Sequence, residues 1–370
     1  MRTYSFSTTV GCLVAICLVA IGGSAKSEDT EETSILYHDA HLHLTNYIQE
    51  GVSMEDTLEL VGDRVGRFTV MGIPLQQKWD YFVSGERAPN YYLRSAASLY
   101  YYSFIDAMLA SQYMKLSEDQ KKRVDPMITG FNPTDMYATD HIKRVLLAFP
   151  GVFSGVGEFS IHKEFVSSKV TGHAASLHNP ALDKIFDLVA EIGLVAFLHC
   201  DIDNVRPGVV PDHYEDLMKV LKRHPDATIV WAHTGLGRFV GPSVEHVSLM
   251  DQMMDDPDLS HVAADISWDL VNDYMVADTE TAQAWANLLN EHPTRFLFGS
   301  DAVAPSSWEG YNKSYEILTD LWALLDSETM HLVTVGNYER LFDESIANVR
   351  AWEEKNLIAE YGAPAILRNC

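Results

Sequence analysis

Residues 35–44 read ILYHDAHLHL, an apolar run that ends in alternating histidines. The pattern is that of a buried strand whose last residues emerge at the end of a sheet. Side chains at i and i+2 share one face of a strand. His41 and His43 therefore point the same way, with Asp39 one layer deeper, while His38 has the opposite parity and faces helices or the rim. An H-x-H pair alone is weak evidence in a chain of 15 histidines. Its weight depends on what the other strand ends carry.

Seven further runs of this kind follow: RFTVMGI (67–73), PMITGF (126–131), FSGVGEFSI (153–161), LVAFLHC (194–200), TIVWAH (228–233), HVAADISW (261–268) and RFLFGSDA (295–302). Helical patterns separate most of them. SMEDTLELVGDRVG opens on Ser53 with Asp56 three residues on, a capping signature. NPALDKIFDLVAEIG begins at Asn179-Pro180 and stops at Gly193. PDHYEDLMKVLKRH and DTETAQAWANLLNEH each stop before a proline.

Strands alternating with helices imply a parallel sheet covered on both faces. Eight such units point to a closed (β/α)8 barrel of the TIM type. An open doubly wound sheet would normally follow its first strand with a glycine-rich phosphate turn; here histidines stand there. The expected fold class is α/β, a TIM-type barrel with a long helical insertion after strand 2, from about Pro74 to Val124 and crowded with tyrosine. Extra C-terminal helices are expected from Asn312 onward.

The first residues have the form of an export signal: Arg2, the apolar CLVAICLVAIGG (12–23), then small residues before a cut after Ala25. The expected organisation is a signal peptide over 1–25, a short exposed segment over 26–34, and a single barrel domain over 35–370. The apolar run is short for a membrane span, so an exported protein, periplasmic or secreted, is expected without stable membrane insertion after cleavage. A retained anchor is the alternative. Cys12 and Cys17 leave with the signal, and the remaining Cys200 and Cys370 make a disulfide framework unexpected. A formal charge of −25 argues against nucleic acid as a partner. A small-molecule substrate is expected, and oligomeric state is not readable.

In such a barrel the chemistry sits where strands end and βα loops begin. Those positions carry His41 and His43, Glu158, His199, His233 and Asp301. Singly each has a bland reading: a packed histidine, an ion-pair partner, a helix N-cap. Together they place imidazoles and carboxylates at five strand ends that a barrel makes neighbours. Imidazole nitrogen and carboxylate oxygen suit a divalent metal, zinc above all, with manganese or iron as alternatives, and one or two ions. A metal lowers the pKa of water, and a neighbouring carboxylate accepts and returns its proton. Asp301 is the candidate for that work; His233 is a candidate ligand of a second metal or a group that polarises a substrate oxygen. Cys200 alternates with His199 and is read as a packed residue. Arg206 and Trp268 are candidate substrate-binding residues, against surface and packing alternatives. Tyr91, Tyr92 and Tyr100 to Tyr102 either line the mouth or pack the insertion.

At this point the pattern resembles the amidohydrolase superfamily, in the branch called amidohydrolase-related or amidohydrolase-2. His41-x-His43, His199, His233 and Asp301 stand in its metal-site order, flanked by GVGEFS, LHCD, AHTG, ADISW and FGSDA, across residues 35–354. The resemblance implies a distorted barrel with one or two divalent metals, cleaving an amide, ester or lactone of a small molecule. Some members decarboxylate aromatic or unsaturated acids instead. Where many binuclear members carry a carbamylated lysine on strand four, this chain has Glu158, which could bridge two metals or stand behind one. A non-oxidative decarboxylase, a TatD-like metal-dependent nuclease and a non-catalytic metal- or solute-binding protein are the alternatives.

Overall fold

The computed structural model describes residues 35–206 and 210–361. The expected signal peptide and the segment before residue 35 lie outside the described residues. Eight parallel strands run in chain order around one sheet. They are β1 (Tyr37–Asp39), β2 (Val65–Val70), β3 (Val124–Ile128) and β4 (Gly155–Ile161). β5 (Val195–Cys200), β6 (Thr228–Trp231), β7 (Val262–Ile266) and β8 (Phe296–Phe298) complete the set. The seam between β8 and β1 is held beyond their ends, where Ala302 pairs with Leu42 and Val303 with His43. There the Asp301 N–H donates to the His41 carbonyl at 2.7 Å.

The period-two pattern sorts the core into two layers. On β5, Val195 and Phe197 enter the barrel interior, while Ala196, Leu198 and Cys200 pack outward among the helices. His199 thus points inward and Cys200 outward. Interior residues Met71, Met127, Val230, Ala263 and Leu297 complete a filled barrel. Tyr338, Leu341 and Phe342, from the C-terminal helix Asn337–Tyr361, join this interior cluster. The chemistry is left at the opposite end.

Helices cover the outside where the punctuation predicts. Ser53 forms a capping box with Asp56 at the start of α1 (Met54–Val61). A helix over Pro180–Ile192 starts at Asn179 and ends at Gly193, which is left-handed. Further helices span Tyr214–Arg223 and Thr279–Glu291.

The insertion after β2 is not helical throughout. Leu75–Gln77 and Leu99–Tyr101 pair as an antiparallel ribbon, α-helices form only at Tyr81–Ser84, Phe104–Tyr113 and Glu118–Lys121, and a 3-10 turn spans Tyr92–Arg94. The tyrosine-rich stretch favours a pleated surface over a helix, and its spacing is shared with helical periodicity over so short a run. Among the described residues no helix is long and apolar enough to cross a membrane.

Candidate metal centre at the strand ends

β4 shows how local sequence aims a side chain. Its register against β5 shifts between Val156 and Phe159, and this bulge accompanies Glu158, which meets His43 and His199. Gly157 permits it: φ is +103°, and a Cβ there would lie 2.2 Å from the Phe197 carbonyl oxygen. His233, Thr234, Trp268 and Asp301 also occupy left-handed backbone. That conformation is costly for residues other than glycine and collects at functional sites.

His41, His43, Glu158, His233 and Asp301 meet in the barrel mouth. His41 Nε2 lies 3.2 Å from His43 Nε2, and Asp301 Oδ1 lies 3.6 Å and 3.2 Å from these two nitrogens. Glu158 Oε2 is 3.3 Å from His43 Nε2. His233 Nε2 is 3.6 Å from Glu158 Oε1 and 3.9 Å from Asp301 Oδ2. Two ligand atoms on one tetrahedral ion, each about 2.1 Å from it, stand roughly 3.4 Å apart. The triangle of His41, His43 and Asp301 has that size. A second group, His41, Glu158 and His233, shares His41 with the first.

The surrounding hydrogen bonds set the tautomers. The buried carboxylate of Asp265, on β7, accepts from His41 Nδ1–H at 2.8 Å. It also accepts from the His233 N–H at 2.7 Å and from the Ser267 hydroxyl. With its proton committed to Asp265, the Ser267 oxygen accepts from His233 Nδ1–H at 2.7 Å. Both imidazoles thus carry hydrogen on Nδ1 and aim a bare Nε2 lone pair inward when neutral. His233 Nε2 is buried with no hydrogen-bond partner. Lone pairs of nitrogen and ionised oxygen converge here, an arrangement that a divalent cation satisfies. The donor set fits the metal.

The electrostatics favour positive charge at the site. Burial alone would lower the His41 pKa, but Asp265, Asp301 and Glu158 push it up to about 9. Burial would raise Asp301, yet His233, His43 and His41 hold it well below the usual carboxylate range. Against burial, Lys163 and His199 hold Glu158 down likewise. Burial depresses His233, which keeps its nitrogen free of a proton near neutrality.

His199 stands beside these two groups rather than in them. Its Nδ1 lies 2.5 Å from Glu158 and its Nε2 3.0 Å from Asp201. Arg206 is exposed next to 207–209, and no described contact joins it to the cluster. Trp268 does line the mouth, its ring centroid 5.2 Å from that of His233. Tyr91 and Tyr92 line it as well, whereas Tyr100 is exposed on the ribbon.

Sequence reading missed Asp265, Ser267, Asp201, Lys163 and Arg238. Strand parity could have found two of them, since Asp265 and Ser267 alternate at the end of β7 as His41 and His43 do just beyond β1. Lys163 Nζ reaches Glu158 at 3.3 Å. Arg238, from the loop after β6, stands with its guanidinium carbon 5.5 Å from the Trp268 ring centroid and 5.8 Å from that of Tyr91.

The family model described as Amidohydrolase matches residues 39–343. Among solved structures, one similar chain is a putative 2-pyrone-4,6-dicarboxylic acid hydrolase from Pseudomonas putida, 13% identical. The match covers 84% of this chain and 98% of that one, with a TM-score of 0.50. Another is an amidohydrolase from Burkholderia multivorans with bound zinc, 12% identical over 83% of this chain and 99% of that one, TM-score 0.50. At such identity the likeness is one of fold. No curated protein matches.

Proposed function

The chain belongs to the amidohydrolase family, and from that premise we propose that it is a metal-dependent hydrolase of a small molecule, cleaving an amide, ester or lactone bond. The observation that carries this reading is the convergence of His41 Nε2, His43 Nε2 and Asp301 Oδ1 within 3.2–3.6 Å of one another. His41, His43 and Asp301 would hold one ion, and Glu158 with His233 would complete the set or hold a second. Zinc suits these donors, as do manganese and iron. When bound, such an ion supplies Lewis acidity and lowers the pKa of water.

The protein's own groups supply the rest. Asp265 holds the His41 ring and, through Ser267, the His233 ring in the tautomer that leaves Nε2 bare. Asp301, kept ionised by the surrounding histidines, accepts a proton from the attacking water at its carboxylate oxygen and returns it to the leaving group. His233 offers an unpartnered Nε2 at which a substrate oxygen can be bound or protonated. Trp268, Tyr91 and Tyr92 narrow the mouth to a cavity of about 180 Å³. That size admits a small molecule.

Elemental mass spectrometry on protein purified without chelators, combined with a panel of small esters, lactones and amides, tests the proposal. One or two divalent ions per chain and metal-dependent cleavage support it. A protein that takes up no metal even when supplied overturns it. Carbon dioxide release without incorporation of water oxygen would replace hydrolysis by decarboxylation. The apolar N-terminal stretch extends the proposal to an exported enzyme, which N-terminal sequencing of the mature protein tests.

A further inference from the structure

Two histidines outside the cluster have their rings stacked face to face. His162 and His213 lie with centroids 4.0 Å apart and planes 11° from parallel. The backbone of each is fixed. His162 follows the last residue of β4 in left-handed backbone, φ +50°, and its carbonyl accepts from the Asp201 N–H at 3.0 Å. His213 is the N-cap residue of the helix Tyr214–Arg223. Its N–H donates to the Ile202 carbonyl at 3.0 Å, and its carbonyl accepts from the Leu217 N–H at 2.9 Å. The stack therefore joins the end of β4 to the start of that helix.

Such a contact tolerates neutral rings and resists two charges. Two cations this close repel, the more strongly where water is partly excluded, and both rings are half-buried. Asp201 and Asp203 face the pair from the turn after β5, Asp212 and Asp216 from the start of the helix, and His178 from the segment before Asn179. The four acids draw protons onto the rings, but burial outweighs them. Burial, with His213 and His178, brings His162 down from 6.5 to about 4 against Asp201 and Asp216. Burial also lowers His213, against Asp212, Asp201, Asp203 and Asp216. The folded chain thus favours neutral rings. The contact contributes fully above pH 6.5 and is lost as pH falls toward about 4.

We propose that the His162–His213 stack is an acid-released latch. It fastens the end of β4 to the helix Tyr214–Arg223 while the rings are neutral, and it lets go when both are protonated. The latch bears on the metal cluster through Asp201. The His162 carbonyl holds the Asp201 N–H, and the Asp201 carboxylate meets His199 Nε2 at 3.0 Å and accepts from the Glu164 N–H at 2.6 Å. The latch does not depend on the hydrolase reading.

Hydrogen exchange read by mass spectrometry on the full chain, at about pH 7 and about pH 4, tests this. The comparison is between the unaltered protein and His213→Phe, which keeps a flat ring against His162 and removes one of the two charges. Near pH 7 the two should exchange alike over 160–166 and 211–217. Near pH 4 the unaltered protein should exchange about tenfold or more faster than the variant in those two stretches, the weight of one unit in pKa, and like it elsewhere. Every other titrating group is common to both proteins, so loss of metal in acid moves the two alike. The proposal is overturned if the two exchange alike near pH 4. It is also overturned if the unaltered protein loses protection in all strands at once, since the stack is then no unit that releases by itself. Should His213→Phe fail to fold, the unaltered protein decides. No gain in exchange at 160–166 and 211–217 over the rest of the barrel between these pH values, after correction for intrinsic rates, overturns the latch equally.

Discussion

Asp265→Asn probes the arrangement most directly, because it changes one atom of a side chain that touches no part of the cavity lining. In the structure Oδ1 accepts from the His233 N–H and the Ser267 hydroxyl, and Oδ2 accepts from His41 Nδ1–H. An amide has one oxygen. If that oxygen stays with His233 and Ser267, the new NH2 faces His41 Nδ1 and forces that ring to carry its hydrogen on Nε2. The lone pair aimed at His43 and Asp301 is then lost. If the amide turns over, its NH2 meets the His233 N–H and the Ser267 hydroxyl, and buried donors oppose each other. Either orientation costs about 1–3 kcal/mol, the penalty for one unmatched buried group. That corresponds to roughly 10- to 100-fold in metal affinity, the usual weight of a carboxylate that orients a ligating histidine. Competition with a chromophoric chelator measures it, with circular dichroism and a thermal melt confirming the fold. A variant that binds metal as tightly as the parent refutes the tautomer argument and, with it, the assignment of His41 as a ligand.

Other expectations follow from single contacts. Asp301→Asn should lower turnover of any substrate found by about 10²–10⁴-fold in steady-state kinetics; normal turnover would remove Asp301 from proton transfer. Gly157→Ala places a methyl against the Phe197 carbonyl at a left-handed position. It should destabilise the fold by about 1–3 kcal/mol or more in denaturant titrations, and an unchanged midpoint would contradict the bulge geometry. At the other end of the barrel, Glu353 accepts from the Gly151 N–H and Arg350, and burial pushes its pKa from 4.5 up to about 7. Between those values the folded chain holds a proton that the unfolded chain has released, so this carboxyl makes stability fall as pH rises. Glu353→Gln lacks that slope. Its stability relative to the parent should therefore climb from pH 4.5 to 7 in paired denaturation curves, and a constant difference would show that the carboxyl is already ionised.

Much of the site lay open in the sequence because it follows from one short-range rule. Alternation of side chains along a strand is local, so His41 with His43 and His199 against Cys200 could be sorted by parity before any fold was known. Eight β-rich runs, each with a loop and most with a helix behind them, left a closed barrel as the arrangement that buries them all. Its geometry then brings the strand ends together. What lies between those ends is not periodic. Asp265 bonds to His41 across 224 residues, and no local pattern sets such a separation. His199 sits on Glu158 and Asp201 rather than among the converging atoms, a placement that strand parity alone does not fix. The ribbon in the insertion escaped because a run of tyrosines satisfies helix and strand alike, until pairing of Leu75–Gln77 with Leu99–Tyr101 decides it. The same holds for the two arginines. Arg206 and Arg238 look equivalent as loop cations, each a few residues past a strand-end histidine. Only the path of the loop after β6, which sets Arg238 between Trp268 and Tyr91, distinguishes them. Strand faces are encoded residue by residue, whereas the partners of a loop side chain are chosen by packing among distant segments.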